Sequence, residues 1–488
     1  MSTVTQPDRA ESERIAEAIG RIVPALEEFN SYQGQDLAAL NRATWTNALD
    51  EPLPLHGAGL DAVLQELAET VIPHGLRIGS PGFSGWVTLS PSTAGTAAAL
   101  ASTMAGAQRY FIQPFNLLEK VALNWLAELL GLPGEMQGIF TSGGSVANLV
   151  GLGAARQRAF ETIGHDAARD GLPPDVRWRL YGSSEVHHVV LRAAGVLGLG
   201  RRSVAGIETD VDHRINLRRL REALEADRAR SILPVAIVGS AGTVNTGAVD
   251  PLEQMADIAA EFSTWLHVDG AYGLFGVLDP RVAPLYQGLE RADSAAVDPH
   301  KWLAAPIGCG AAFVRDRDLL ARAFTTEPAD YLEGSIGAPE CRSPYDDLGE
   351  PYHHLGIEHS APSRGVRVWA ILKEIGAEGM RERVIRHNDF ARHLAARAQQ
   401  EERLELLMEP TLSICCFRYR QPQMDEQELD DLNEQIVQTL HAEGELVPST
   451  TRVGGKLAIR PCYINPRTTL AEVDGLADRV LALGDALR

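Results

Sequence analysis

The sequence predicts an α/β fold built on a parallel sheet covered on both faces by helices. Two short apolar runs, Val235 to Val238 and Trp265 to Val268, flank a helix-patterned stretch from Leu252 to Phe262, and such alternation is the mark of parallel strands buried on both sides. Each run ends in small or polar residues, Gly239-Ser240-Ala241-Gly242-Thr243 and Asp269-Gly270-Ala271-Tyr272, at the strand ends where sheets of this kind bind ligands. From about Met380 a smaller α+β unit follows. Its pattern is a helix to about Gln400, a strand over Leu412 to Tyr419, a helix from Asp425 to Glu443 that Gly444 stops, a strand over Lys456 to Arg460 and a closing helix from about Thr469 to Leu487.

Length and composition bound the function. A chain of 488 residues suits a large domain with one or two smaller ones, and 23% charged with 45% hydrophobic residues is the balance of a globular enzyme. A formal charge of −20 excludes nucleic acid and anionic membrane surfaces, both of which need a basic face to displace counterions. The partner expected is therefore a small molecule. Residues Met1 to Glu13 are polar and no apolar run reaches the ~20 residues of a bilayer span, so the cytoplasm is the expected location. The five cysteines (Cys309, Cys341, Cys415, Cys416, Cys462) show no Cys-x-x-Cys spacing and read as free thiols, with no metal site.

Ahead of the sheet, Ile15, Ala18, Ile19, Ile22, Val23 and Leu26, then Leu60, Val63, Leu64 and Leu67, fall at helical spacing. These helices resemble an arm whose apolar stripes pack either on a second subunit or on their own chain. Residues 79–91, GSPGFSGWVTLSP, read as a surface loop carrying Phe83 and Trp86. Ala94 to Ala107 reads as a buried helix leading to Tyr110 and Phe111, aromatics that either line a pocket or fill core. Residues 138–145, GIFTSGGS, pass from a short strand through glycines into a helix from Val146 to Arg156. Such a turn gathers free N–H groups at the positive end of a helix dipole and suits a phosphate, although it also caps helices without one. Ser184-Glu185-Val186-His187-His188 opens another helix after a strand at Arg179 to Gly182, and a further strand is expected at Cys309 to Val314. From Thr325 to Ala361 the chain loses periodicity and reads as a long loop, before a helix resumes at Arg364 to Ile375.

The chemistry centres on Lys301. It follows Asp298-Pro299-His300 between the apolar tracts 295–297 and 302–306, so it either snorkels its charge outward or is desolvated into a neutral amine able to attack a carbonyl. Asp269, directly after a buried strand, either caps the next turn or presents a carboxylate at the strand end. Together with a phosphate cradle and a histidine at a helix start, these residues supply what pyridoxal 5′-phosphate (PLP) needs: an imine-forming lysine, an acid to keep the pyridine nitrogen protonated and a ring to stack on it.

The segments TSGGSVAN, SSEVHH, SAGTVNTGAVDP, WLHVDGAYG and ADSAAVDPHKW, in this order, resemble the group II PLP-dependent amino acid decarboxylases, which include the aromatic amino acid, glutamate and cysteine sulfinate enzymes. The resemblance covers residues 75–375 and extends more weakly to both ends. It implies the type I PLP fold (aspartate aminotransferase-like): an N-terminal helical arm (1–80), a large PLP-binding domain with a mainly parallel seven-stranded sheet (81–380), a small C-terminal domain (381–488) and a homodimer with active sites at the subunit interface. It also implies that Lys301 carries the cofactor, Asp269 pairs with the pyridine nitrogen and His187 stacks on the ring. Gly143, Gly144, Ser145 and His300 would hold the phosphate, with Thr243 and Ala271 against the ring. A loop tyrosine that returns a proton to Cα falls at Tyr352, with Tyr345 as its neighbour, and Arg460 resembles the arginine that binds the substrate carboxylate in glutamate decarboxylases. Phe83, Trp86, Tyr110 and Phe111 lie in segments that line the substrate cavity of relatives and favour an aromatic or apolar amino acid; an acidic one would need a cation such as Arg109. Two departures stand out, Asp298 where several relatives have Asn and the loop CRSPYDDLGEPYHHLG.

Overall fold

The computed structural model describes residues 9–31, 42–106, 113–325 and 352–487. Strand β1 (Phe83–Ser84) stands apart from the next seven: β2 (Gln137–Thr141), β3 (Trp178–Ser183), β4 (Val204–Ile207), β5 (Leu233–Ser240), β6 (Trp265–Asp269), β7 (Ser294–Val297) and β8 (Gly310–Val314). These seven form one sheet in the order β2-β8-β7-β6-β5-β3-β4. The pairs from β7 to β4 are parallel, while β8 runs antiparallel to both neighbours. Parallel neighbours need a crossover, and the helix Leu252–Glu261 supplies one between β5 and β6. Between β7 and β8 there are only residues 298–309 and no helix, so the chain turns straight back. That return loop contains Lys301.

Both sheet faces are covered. On β7 and β8, Ala295, Val297, Ala311 and Phe313 face one core and Ala296, Ala312 and Val314 the other, the period of two that a pleated strand imposes. The second core is filled from the helix Gly144–Glu161, whose small residues Ala147, Gly151, Ala154 and Ala155 let it lie close.

A smaller sheet has the order β1-β11-β12-β10-β9, with β9 (Leu404–Met408), β10 (Cys416–Tyr419), β11 (Val447–Val453) and β12 (Lys456–Arg460). Its own core joins Phe417, Tyr419 and Ile459 to the helices Glu426–Glu443 and Leu470–Ala486. Asp425 and Glu428 form a reciprocal capping box at the start of the first of these helices, and Gly444, at φ 73°, ends it in the left-handed conformation that a side chain disfavours. The helix expected at Arg364 to Ile375 does end there, at Gly376, whose φ of 66° is not helical, and a second helix runs on from it to Gln400.

Two expectations are corrected. Residues 79–91 are not all loop, because Phe83–Ser84 pairs in parallel with Val447–Pro448. The glycines that read as loop signals permit this approach: a Cβ on Gly82 would lie 2.0 Å from the Glu445 carbonyl oxygen. The helix at Thr93–Met104 buries Gly95, Ala98 and Ser102 but exposes Leu100 and Met104, since its small residues meet the rest of the chain on one side only. Among the described residues no helix is long and apolar enough to cross a membrane.

Candidate active site

The carboxyl ends of β5, β6 and β7 and the start of the helix Gly144–Glu161 enclose a cavity of about 610 Å³, within the range of small-molecule sites. Of the residues singled out from sequence, Trp86, Gly143, Gly144, Ser145, His187, Thr243, Asp269, Ala271, His300 and Lys301 line it.

Lys301 reaches the cavity because its neighbour is anchored behind it. Trp302 is fully buried, stacks on Tyr272 (ring centroids 5.4 Å apart) and donates its indole N–H to His387 Nδ1 at 2.9 Å. Lys301 then points the other way, its Nζ 3.0 Å from Asp298 Oδ2. Asp298 is buried, and its Oδ1 has no hydrogen-bond partner.

The cradle is built from backbone. Gly143 (φ 146°) opens the helix without a side-chain cap, so the first-turn N–H groups are left for something else to satisfy. A Cβ on Gly144 would come within 2.6 Å of Asp298 Oδ2 and 3.1 Å of Ala271 Cβ, and one on Gly143 within 3.2 Å of the His300 ring. His300 donates from Nδ1 to the Cys309 carbonyl at 2.7 Å, which turns Nε2 toward Asp298 at 3.8 Å; burial lowers its pKa.

Asp269 closes β6, its Oδ1 accepting from Ala271 N at 3.2 Å. His187 caps the helix His188–Val196, its Nδ1 accepting from Val189 N at 3.3 Å; burial lowers its pKa, and the neutral ring then carries its proton on Nε2. Thr243 Oγ1 accepts from Ala248 N at 3.2 Å and bonds Thr246 Oγ1 at 3.0 Å.

Behind this wall runs a relay whose directions are all fixed. Asn148 donates Nδ2 to the Gly144 carbonyl (2.8 Å), so its Oδ1 accepts from His267 Nε2 (2.8 Å). His267 Nδ1 accepts from the Ser294 hydroxyl (2.7 Å), and Ser294 Oγ accepts from Trp265 Nε1 (2.7 Å). The imidazole has no exposure and its pKa is lowered to about 4 by burial.

Other expected residues lie elsewhere. Phe83 is buried in β1 and stands 6.0 Å, ring to ring, from Trp86. Arg460 is buried next to the cavity but does not line it. Tyr352 begins a short 3₁₀ turn and packs on the large core, outside the cavity lining. Tyr110, Phe111, Arg109 and Tyr345 lie outside the described residues, as does Cys341; the other four cysteines are free and buried. Glu185, Asn148, Val244, Tyr272, Asp298 and Ile307 also line the cavity but were not chosen from sequence. Glu185 stands two residues before His187, and that proximity was the available signal. Among the described residues no group of three or more His, Cys, Asp or Glu is arranged to hold a metal ion.

A mainly parallel sheet of seven strands, with a lysine on the return loop after β7 and a second α+β unit beside it, has the architecture of type I PLP-dependent enzymes. Residues 44–420 match the family model described as the pyridoxal-dependent decarboxylase conserved domain. The chain is 30% identical over 453 residues to an aromatic-L-amino-acid decarboxylase of Bacillus atrophaeus, covering 90% of this chain and 88% of that protein. It is 31% identical over 386 residues to an acidic amino acid decarboxylase of Homo sapiens, covering 77% and 72%. Among solved structures it resembles the Oryza sativa enzyme TDC with PLP and tryptamine, at a TM-score of 0.87 with 24% identity over 99% of this chain and 100% of that one. The chain belongs to the pyridoxal-dependent decarboxylase family and is a PLP-dependent carboxy-lyase of amino acids. Its site fits the cofactor: the uncapped helix start leaves N–H groups for a phosphate, and a lysine, a strand-end acid and an imidazole share the same cavity.

Proposed function

We propose that the protein decarboxylates an L-amino acid with an aromatic or apolar side chain to the corresponding amine and CO2, in the cytoplasm and as a homodimer. The observation that carries the substrate class is the cavity wall. Trp86, Val87, Val244 and Ile307 line it, and among the described residues the one lysine or arginine that does is Lys301, which this reading gives to the cofactor, so the described wall favours an apolar side chain over an acidic one. Support for the dimer comes from large apolar side chains left exposed in the N-terminal segment, among them Leu53 and Leu55 between two helices and Leu60 and Val63 on the second of them.

When bound, PLP supplies an electron-accepting ring to which the nitrogen of the amino acid is joined. In this reading Lys301 would hold the cofactor, and Asp298, 3.0 Å from Nζ, is placed to take the proton that the lysine must lose. Asp269 would keep a proton on the pyridine nitrogen, and His187, Thr243 and Ala271 would hold the ring. The N–H groups of Gly144 and Ser145, with Gly143 beside them and His300, would meet the phosphate. A tyrosine hydroxyl, from Tyr352 or Tyr345, returns the proton to Cα while the cavity excludes water. Turnover of all proteinogenic L-amino acids, with CO2 and amine both measured, tests the reading. Release of amine and CO2 from tryptophan, tyrosine, phenylalanine or leucine is expected. Preference for glutamate or aspartate would overturn the substrate class, and aldehyde in place of amine would overturn the reaction.

A further inference from the structure

Arg460 ends β12 with its side chain 3% exposed, and all its hydrogen bonds go to neutral oxygens. Nε donates to the Asn245 carbonyl at 3.1 Å, Nη1 to the Trp86 carbonyl at 2.8 Å and to Ser449 Oγ at 3.2 Å, and Nη2 to the Val244 carbonyl. No carboxylate among the described residues lies within salt-bridge reach of it. Four of five guanidinium hydrogens are therefore spent on three separate segments. Two of these segments form the cavity wall: Trp86 and Val244 both line it, and Asn245 donates Nδ2 to Glu185 of the same wall at 2.6 Å.

Trp86 needs such a restraint. Its φ is 49°, a conformation that a bulky L residue keeps only where its surroundings hold it. Trp86 is 57% exposed, so beyond the Phe83 ring 6.0 Å away packing supplies little of that hold. The backbone carbonyl fixed by Arg460 is a restraint on which way the ring faces.

We infer that Arg460 is a positioning residue for the substrate side of the cavity, holding Trp86 and Val244–Asn245 in register, rather than the group that receives the substrate's carboxylate. This rests on the proposed decarboxylation only for the choice of ligands. The guanidinium acts as a planar fork spanning carbonyls from distant parts of the chain, which a lysine ammonium on a flexible stem cannot reproduce.

The test compares an amino acid with its own amine, which has the same side chain and no carboxylate. L-tryptophan and tryptamine are the probes, replaced by the fastest-turned-over amino acid and its amine if the panel finds a better one. On wild type, Arg460→Lys and Arg460→Gln holoenzymes, KM for the amino acid and Ki for the amine are measured, with cofactor absorbance and thermal melting to confirm a folded, loaded protein. A positioning role raises both constants together, by about tenfold or more for either substitution, with kcat changed much less. A rise in KM with Ki for the amine unchanged, or near-complete rescue by lysine, would make Arg460 the carboxylate partner and overturn the inference.

Acrylamide quenching of the Trp86 indole, taken as the difference from Trp86→Phe, supplies a readout that needs no ligand. It should change in Arg460→Gln, and an unchanged value overturns the inference even if no amino acid is turned over. Should both Arg460 variants fail to fold, Ser449→Ala and Trp86→Gly take their place. Glycine accepts the positive φ, so Trp86→Gly removes the ring without strain. Ser449→Ala should alter Trp86 quenching, and Trp86→Gly should weaken amino acid and amine alike. No change in either variant counts against the inference.

Discussion

His267 lies two residues before Asp269 on β6, and its tautomer is set from both sides, Nε2–H given to Asn148 and Nδ1 taking the Ser294 hydroxyl. Protonation would place a second N–H against a hydroxyl that already accepts from Trp265, in a fully buried site. Its folded pKa of about 4 lies below the ~6.5 of an unfolded histidine. The stability it contributes is therefore fully present above pH ~6.5 and is lost as pH falls through about 4, up to about 3 kcal/mol. Asp250 acts in the opposite sense. Buried, it accepts from Ile215 N and Ser240 N, and burial raises its pKa to about 6, so its contribution is present below the ordinary aspartate value and fades as pH rises through about 6. Denaturant melts between pH 4 and 8 should show His267→Gln with less acid sensitivity than wild type. Little of this was readable in advance, since a lone histidine inside WLHVD says nothing of partners 119 and 27 residues away. Lys301 and Asp269 were readable because their chemistry depends on neighbours close in the chain.

At the scale of elements, the start of the helix Gly144–Glu161 carries a sharp expectation. In Gly144→Ala the new methyl would sit 2.6 Å from Asp298 Oδ2, and that carboxylate is already held by Lys301. Affinity for PLP, titrated by absorbance against the apoprotein, should fall by about tenfold or more, and the melting temperature of the apoprotein should fall too, since buried Asp298 must shift. The tyrosine assignment belongs to this scale too, because the segment from Thr325 to Ala361 was located in sequence by its lack of period. Amine and hydrogen peroxide are to be measured in air from Tyr352→Phe and Tyr345→Phe. Whichever tyrosine protonates Cα, its removal should slow amine formation and divert turnover toward aldehyde, ammonia and peroxide, with dioxygen as oxidant. The apolar strands β5 and β6 and the capped helix Glu426–Glu443 announced themselves by period and punctuation. Strands β1, β4, β7, β9 and β11 did not. β1 has two residues and is flanked by glycines, and β11, VPSTTRV, is polar along one face, so partners from elsewhere in the chain decide both.

For the whole molecule, the expected state is a dimer of twice the 52.8 kDa chain, stabilised through the exposed apolar residues of the N-terminal helices. Sedimentation velocity across a dilution series should show that mass, and Leu60→Asp with Val63→Asp should shift it toward the monomer and lower activity in parallel. The pairing of Phe83–Ser84 with Val447–Pro448 also bears on how the chain is made. The strand at Phe83–Ser84 leaves the ribosome well before its partner at Val447–Pro448, so the loop that this pairing closes is long, and contacts of such long sequence separation form late. Until then Trp86 lacks both its neighbouring strand and the guanidinium that orients it. A nascent chain can complete the large sheet and its phosphate turn while the substrate wall is still unbuilt, so cofactor capture should precede the ability to recognise an amino acid during synthesis.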